Sequence, residues 1–253
     1  MQRYLILIFF IININLFAQK NTEQLRAFIR DGFYNSITFG LDYSAGNEDY
    51  LKLIGGYRID FRQTQFYTFL VTNAEYKTGN NTLITNKGFA HLRFIYHDYK
   101  LIHPEVFFQI EYDDFILIEH RELAGGGVRF DIIDYETQEN GPKIVLNFGV
   151  SIMYEHEKYK LNNPSFDVQL RNSTYLSLFL FFNDFFNLSF VNYIQPVLKN
   201  FHDFKVLTEL KFNFSISKYL SFNFNLNYRY DNEPLSNLKY YNFNIVNGFT
   251  VNF

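Results

Sequence analysis

The stretch YLSFNFNLNYRYD, residues 219–231, alternates between apolar and polar residues at every second position. Its even-numbered residues are leucine, phenylalanine or tyrosine, whereas serine, asparagine, arginine and aspartate occupy the odd-numbered positions from 221 onward. Because successive side chains of a β-strand point to opposite faces, this period indicates a strand with one apolar and one polar face. Alternation over about twelve residues is long for a soluble sheet, whose strands average about five or six residues.

The composition of the 253-residue chain extends this pattern to the whole protein. There are 32 phenylalanines and 20 tyrosines, yet the mean hydropathy is only −0.16. So many rings at average hydropathy predict strands that are apolar on one side and polar on the other. The formal net charge of −3, with no cluster of Lys and Arg, argues against a nucleic-acid partner. The absence of cysteine excludes disulfides, thiolate metal sites and cysteine catalysis, and no cofactor is expected.

The N-terminus has the pattern of an export signal. Arg3 precedes an apolar run over residues 4–17, and the small residue Ala18 follows it. This order is typical of a cleaved secretory signal peptide, and the run is shorter than the about 20 residues that a spanning helix needs. We expect cleavage after Ala18, which makes residues 1–18 the signal peptide. Residues 19–33 are then an N-terminal periplasmic arm, a short helix or a partial plug.

From residue 34 to residue 253 the alternation predicts about 12 strands, with 10–14 possible. Their apolar faces are dense in rings, and the sequence offers no helix to cover them. Lipid must then cover these faces, and a sheet in lipid must close because an open edge leaves backbone groups unpaired. The predicted fold is all-β, a closed antiparallel transmembrane β-barrel in the outer membrane of a Gram-negative bacterium. The glycines at 125–127 lie within the sixth strand and indicate a bend or a close backbone approach.

Several segments, taken in order, resemble those of a known family. They are DGFYNSITFGLDYSAGNEDYLKLIGGY from residue 31, NKGFAHLRFIYH from 86, HRELAGGGVRF from 120, LNFGVSIMYEHEKY from 146 and LNYRYDNEP from 226. From Asp31 to its end the chain resembles the domain of unknown function 481 family, the YdiY-like "salt-induced outer membrane proteins". The resemblance implies an outer-membrane barrel and no catalytic activity. The terminal VNGFTVNF also resembles the signal for the barrel-assembly machinery, with Gly248 and Phe253 matching and Val246 and Val251 departing from it.

Charged residues of both signs alternate with the apolar residues and are expected to face the lumen. A selective pore or binding lumen would use these charges to choose a small solute. Alternatively, opposite charges pair and fill a narrow interior, an arrangement that the mixed signs favour. The residues predicted to form this lumen charge network are Arg58, Asp60, Arg93, Glu111, Arg129, Glu209, Lys211 and Arg229.

Two other groups of residues bear on chemistry. His91 and His97 share a strand face, but six residues span about 20 Å, so the two cannot share a metal ion unless the strand bends. His156, Ser165 and Asp167 flank one predicted loop and could supply the base, nucleophile and orienting acid of a lipid hydrolase. No recognisable hydrolase motif flanks them. Neither a metal site nor a catalytic residue is therefore expected.

The leading interpretation is a non-enzymatic outer-membrane barrel, either structural or a narrow solute channel. Its expected partners are outer-membrane lipid and, during biogenesis, the barrel-assembly machinery. Two alternatives stay open: a barrel that binds a periplasmic or surface partner, and a lipid-modifying hydrolase.

Overall fold

A computed structural model of the chain describes residues 31–46, 49–80, 82–97, 101–136, 142–161, 165–235 and 238–252. They form twelve β-strands: β1 Gly32–Ser44, β2 Tyr50–Gln63, β3 Phe66–Gly79, β4 Thr82–Tyr96, β5 Ile102–Asp113, β6 Ile118–Glu136, β7 Lys143–Tyr159, β8 Ser165–Phe181, β9 Phe186–Val197, β10 Asn200–Ser215, β11 Leu220–Asp231 and β12 Tyr241–Asn252. Each strand pairs antiparallel with its chain neighbours, and β1 pairs with β12, so the sheet closes on itself. The predicted closed antiparallel barrel of twelve strands is confirmed.

Strand β11, which contains most of the opening stretch, shows how alternation builds a wall with two faces. On its outer face Phe222 lies opposite Phe214 of β10 and Phe249 of β12, with ring centroids 6.4 and 5.5 Å away. On its inner face Asn223 is buried, and its Nδ2 donates a hydrogen bond of 2.7 Å to Oγ1 of Thr250. The rings therefore point away from the barrel and the amides point into its lumen.

The apolar outer surface has the height of a membrane core. On β7 every second residue from Ile144 to Tyr154 is apolar or aromatic and faces outward, and His156 and Lys158 follow on the same face. About ten residues at about 3.4 Å each, tilted by about 40°, reach about 26 Å, close to the apolar band of outer-membrane barrels. The end of β7, from His156 onward, therefore extends beyond this band, at the barrel end opposite the chain termini. Among the described residues, none forms a helix long and apolar enough to cross a membrane.

Glycines on β6 and β7 make room for rings inside the barrel. A Cβ atom on Gly125 would overlap the ring of Phe107, and one on Gly149 would overlap the ring of Tyr175. Both rings lie in the lumen, almost fully buried. The glycine run predicted to allow a bend or a close approach serves here for a close approach.

Strand ends differ from the prediction by a few residues. β4 begins at Thr82 rather than at 86, and β10 begins at Asn200 rather than at 204. The register of β10 shifts between Asn200 and Phe204, opposite Pro196, which has no backbone N–H to donate. β1 begins at Gly32, two residues before the predicted start of the barrel. The predicted signal peptide, its cleavage at Ala18, the arm up to residue 30 and Phe253 lie outside the described residues.

Candidate functional site: the barrel lumen

A buried ion cluster occupies the lumen at the end opposite the chain termini. At its centre is Glu155, whose side chain is 1% exposed. Its carboxylate accepts hydrogen bonds from Nε of Arg171 at 2.5 Å, Nε of Arg121 at 2.9 Å and Nζ of Lys205 at 3.1 Å. Lys205 also donates to Glu157 at 2.9 Å. The cluster thus satisfies its charges internally, as buried charges require.

The ion cluster also crosses the lumen. Arg121 on β6 pairs with Glu111 on β5 at 2.5 Å, while Lys205 on β10 pairs with the two glutamates of β7. β7 and β10 are not neighbours in the sheet, so these contacts bridge the interior rather than follow the wall. The β5–β10 side of the lumen is consequently filled at this end.

A second ion pair lies deeper in the lumen, on β2. Arg58 and Asp60 form a two-point contact, with Nε to Oδ2 at 2.8 Å and Nη2 to Oδ1 at 2.7 Å. Nη2 also donates to the Tyr67 hydroxyl at 2.8 Å, and the guanidinium lies 4.5 Å from the ring centroid of Phe69. Two charges and two rings therefore pack as one unit against the β2–β3 wall.

A third unit joins a charge pair to the rings beside the glycines. Arg93 lies 3.5 Å from Glu105, whose carboxylate also accepts a hydrogen bond of 3.0 Å from the Tyr175 hydroxyl. The Arg93 guanidinium lies 5.0 Å from the Phe107 ring centroid and 5.6 Å from that of Tyr175. Since Tyr175 is on β8 and Glu105 on β5, this unit also spans the interior.

The opposite side of the lumen is built differently. We define the neutral wall as the glycines and uncharged polar residues of β11, β12, β1 and β2 that line a cavity on this side of the lumen: Asn223, Asn225, Asn227, Gly248, Thr250, Ser36, Thr38, Gly40 and Gly56. The same cavity, of about 150 Å³, is also lined by the charged residues Arg58, Glu209 and Lys211 and by the apolar residues Ile54, Val71, Phe89 and Val246. Within the described part of the chain, the Oδ1 atoms of Asn223 and Asn225 have no hydrogen-bond partner. The wall therefore presents acceptors to whatever fills the cavity.

The eight predicted network residues take several positions. Arg58 and Asp60 pair with each other, whereas Arg93, Glu111 and Arg129 pair with Glu105, Arg121 and Asp131. Glu209 and Lys211 border the cavity, and Arg229 is 6% exposed. The eight do not include six other charged residues that are buried in the lumen: Glu105, Arg121, Glu155, Glu157, Arg171 and Lys205. All six occupy lumen-facing positions of their strands, so alternation alone could have found them.

The residues considered for a hydrolase do not assemble. His156 pairs with Val168 on the outer face of the sheet, stacks on the Phe166 ring and lies 3.5 Å from Glu122. Asp167 pairs with Glu157 on the lumen face. The sheet therefore separates this acid from this base. The side chain of Ser165 lies outside the described parts of the chain.

Solved structures share the architecture. The NanC porin has a TM-score of 0.51 at 8% sequence identity, with 86% of this chain and 98% of that chain covered. The COG4313 outer membrane channel from Pseudomonas putida F1 has a TM-score of 0.49 at 8% identity, covering 93% and 100%. The KdgM porin has a TM-score of 0.41 at 9% identity, covering 87% and 96%. At 8% identity the likeness to the NanC porin concerns the fold alone, a closed outer-membrane β-barrel.

The sequence comparisons address the family. None of the curated proteins matches this chain significantly. The family model described as "Protein of unknown function, DUF481" matches residues 37–253. That range contains eleven of the twelve strands in full and most of β1. The chain therefore belongs to the DUF481 family.

Proposed function

We propose that this protein is a non-enzymatic outer-membrane barrel that conducts small, uncharged polar solutes along the neutral wall. The cavity of about 150 Å³ beside that wall carries the proposal. Amide and hydroxyl groups hydrogen-bond polar solutes without demanding a charge. Of the charges at its edge, Arg58 is held by Asp60, and Glu209 and Lys211 are of opposite sign. The path has no dominant charge with which to select an ion.

The filled half of the lumen makes this path narrow and off-centre. The buried ion cluster and the two ring-bearing units occupy the β2–β10 side of the interior. Only solutes small enough to follow the β11–β2 side would pass. A barrel of twelve strands is also narrower than the 16–18-stranded porins with wide aqueous channels.

A second candidate is a closed structural barrel, and the buried ion cluster favours it. Its contacts cross the lumen, and its members are almost fully buried. Conductance of the purified protein in planar lipid bilayers separates the two candidates. The channel predicts small, steady openings, whereas the absence of any channel current at every voltage and salt concentration would support the structural barrel.

A pair of matched variants ties any conductance to the neutral wall. Asn225→Phe places a ring in the cavity and is expected to lower the conductance severalfold. Asn192→Phe makes the same substitution on the outer face of β9, between the buried lumen residues Val191 and Tyr193, and is expected to leave it unchanged. Equal conductance in the two variants would place the ion path elsewhere.

Solute class is tested by swelling of liposomes that contain the barrel. A neutral monosaccharide is expected to enter faster than anionic or cationic solutes of similar size. Faster entry of a charged solute would contradict the role assigned to the amides and hydroxyls.

The same proposal covers location and biogenesis. Export with cleavage after Ala18, and assembly through a terminal signal that includes Gly248 and Phe253, would deliver the chain to the outer membrane. The apolar band on β7 supports a membrane environment. N-terminal sequencing of the protein from isolated outer membranes tests both points. A mature chain that still begins at Met1, or one found in the soluble fraction, would contradict them.

A further inference from the structure

His97, His103 and Asp131 form a cluster at the barrel end that carries the chain termini. Each residue offers one potential ligand atom, and these three atoms all lie within 4.8 Å of one another. The ring centroids of His97 and His103 are 4.3 Å apart, and Nε2 of His103 is 3.0 Å from Oδ2 of Asp131. This cluster is separate from the neutral wall and from the buried ion cluster.

The strand register explains why these residues meet. β4 and β5 pair Ile95 with Glu105, so continuing that register toward the turn brings His97 opposite His103. β5 and β6 pair His103 with Arg129, and Asp131 follows two residues later on the same face. All three side chains therefore belong to the lumen face of three consecutive strands.

The backbone holds the cluster in place. The N–H of His97 donates to the carbonyl of Gln65 at 2.6 Å, and the N–H of Asp131 donates to the carbonyl of Leu101 at 3.2 Å. The register of β6 against β7 shifts directly after Asp131. Such β-bulges occur often beside functional sites, where they re-aim a side chain.

His103 gives the clearest indication of a ligand. The residue is 3% exposed, and neither ring nitrogen has a hydrogen-bond partner among the described residues. The contact of Nε2 with Asp131 is short, yet its angle is not that of a hydrogen bond. Two ligand atoms in the tetrahedral geometry of Zn²⁺, each about 2.1 Å from the ion, lie about 3.4 Å apart. Nε2 of His103 and Oδ2 of Asp131, at 3.0 Å, therefore need to separate by only about 0.4 Å to become neighbouring ligands of one ion.

Arg129 completes the surroundings of the cluster. Its Nη2 lies 2.7 Å from Oδ1 of Asp131 and donates to Oδ1 of Asn147 at 3.0 Å. It therefore holds one carboxylate oxygen and leaves Oδ2 directed toward His103, as residues that hydrogen-bond to metal ligands do. Its positive charge also opposes a cation, so the affinity should be moderate rather than that of a closed structural site.

We propose that His97, His103 and Asp131 bind a divalent first-row transition-metal ion such as Zn²⁺ in the mouth of the lumen. Two imidazoles and one carboxylate suit Zn²⁺, Ni²⁺ or Cu²⁺ better than Ca²⁺ or Mg²⁺, which prefer oxygen ligands. Three protein ligands leave at least one position for water. The ion ties β4, β5 and β6 together at this end of the barrel.

The test is titration of the detergent-purified, metal-stripped barrel with Zn²⁺ by calorimetry, and with Co²⁺ by visible absorption. We expect binding in the micromolar range, and no comparable binding of Ca²⁺. His103→Ala, His97→Ala and Asp131→Asn should each weaken Zn²⁺ binding about tenfold or more. The heat-dependent electrophoretic mobility of each variant shows whether its barrel has folded.

Two matched controls separate this site from other histidines. His91 is buried in the lumen but accepts or donates a hydrogen bond of 2.9 Å with Gln109, so His91→Gln should keep the binding. His120 contacts Glu122 on the outer face, and His120→Gln should keep it as well. Absence of Zn²⁺ binding, its survival in folded His103→Ala, or its loss in folded His120→Gln would overturn the proposal.

Discussion

Replacing Arg121 by methionine is expected to destabilise the barrel strongly. The Arg121 side chain is fully buried and contacts Glu111 at 2.5 Å and Glu155 and Glu157 at 2.9 Å. Methionine keeps much of the volume and the apolar stem but removes the charge. Two cations of the ion cluster, Arg171 and Lys205, would then remain for three glutamates, of which Glu155 and Glu157 are almost fully buried.

Breaking a buried ion pair by removing one partner costs about 3–5 kcal/mol, because the remaining charge is left uncompensated. The folding equilibrium constant of Arg121→Met should therefore fall by about two to nearly four orders of magnitude. Denaturant unfolding in lipid vesicles measures this, followed by far-ultraviolet circular dichroism and by electrophoretic mobility. The chain has no tryptophan, so intrinsic tryptophan fluorescence cannot serve.

Lys158→Met is the matched control for this prediction. Lys158 pairs with Glu119 at 2.5 Å, but the two side chains are 32% and 45% exposed, and exposed pairs contribute about 0–1 kcal/mol. If the free energy of unfolding falls by less than about 1 kcal/mol in Arg121→Met, or falls equally in the two variants, burial does not make the ion cluster essential for stability.

Two further pairs of substitutions test how the barrel sheet packs and where it lies in lipid. Gly149→Ala should lower the free energy of unfolding by about 1–3 kcal/mol, because the added Cβ overlaps the Tyr175 ring. At Gly55 an added Cβ would have no other atom within 4 Å, so Gly55→Ala should change the free energy of unfolding by less than about 0.5 kcal/mol. Val150 lies on the outer face near the middle of the apolar band, so Val150→Arg should lower the free energy of unfolding in vesicles by about 2–4 kcal/mol. His156 lies beyond the band, so His156→Arg should lower it by about 0–1 kcal/mol. Equal stabilities within either pair, measured by the same unfolding assay, would contradict the packing at Gly149 or the placement of β7 in lipid.

The number of strands and the face on which each side chain lies were predictable from the sequence, because one physical constraint determines both. Lipid outside and a polar lumen inside impose a two-residue period on every strand, as in Leu220–Asp231. Strand ends were harder to predict, because pairing continues beyond the lipid, where no apolar partner is needed. Asn200–Asp203 is such a case, since these residues belong to β10 without alternating.

Partner choice within the lumen could not be derived from alternation. Alternation predicts that Glu155 and Lys205 face the lumen. Whether their side chains touch depends on the distance across the lumen between β7 and β10. The His97–His103 contact is different, because it follows from continuing the β4–β5 register, in which Ile95 pairs with Glu105. Spacing along a single strand excludes a shared metal ion for His91 and His97, but it does not bear on His97 and His103, which lie on paired strands.

The position of the cavity relates to where the barrel closes. β1 and β12 come from opposite ends of the chain, and within the described residues they pair at four positions, from Ser36 to Phe39. Small, uncharged lumen residues line this seam, where Oγ1 of Thr38 lies 3.0 Å from Oγ1 of Thr250. Such residues let the two edges meet without matching ion pairs between distant parts of the chain. They also fill little space, so we infer that the residues that ease closure leave the lumen open beside the seam.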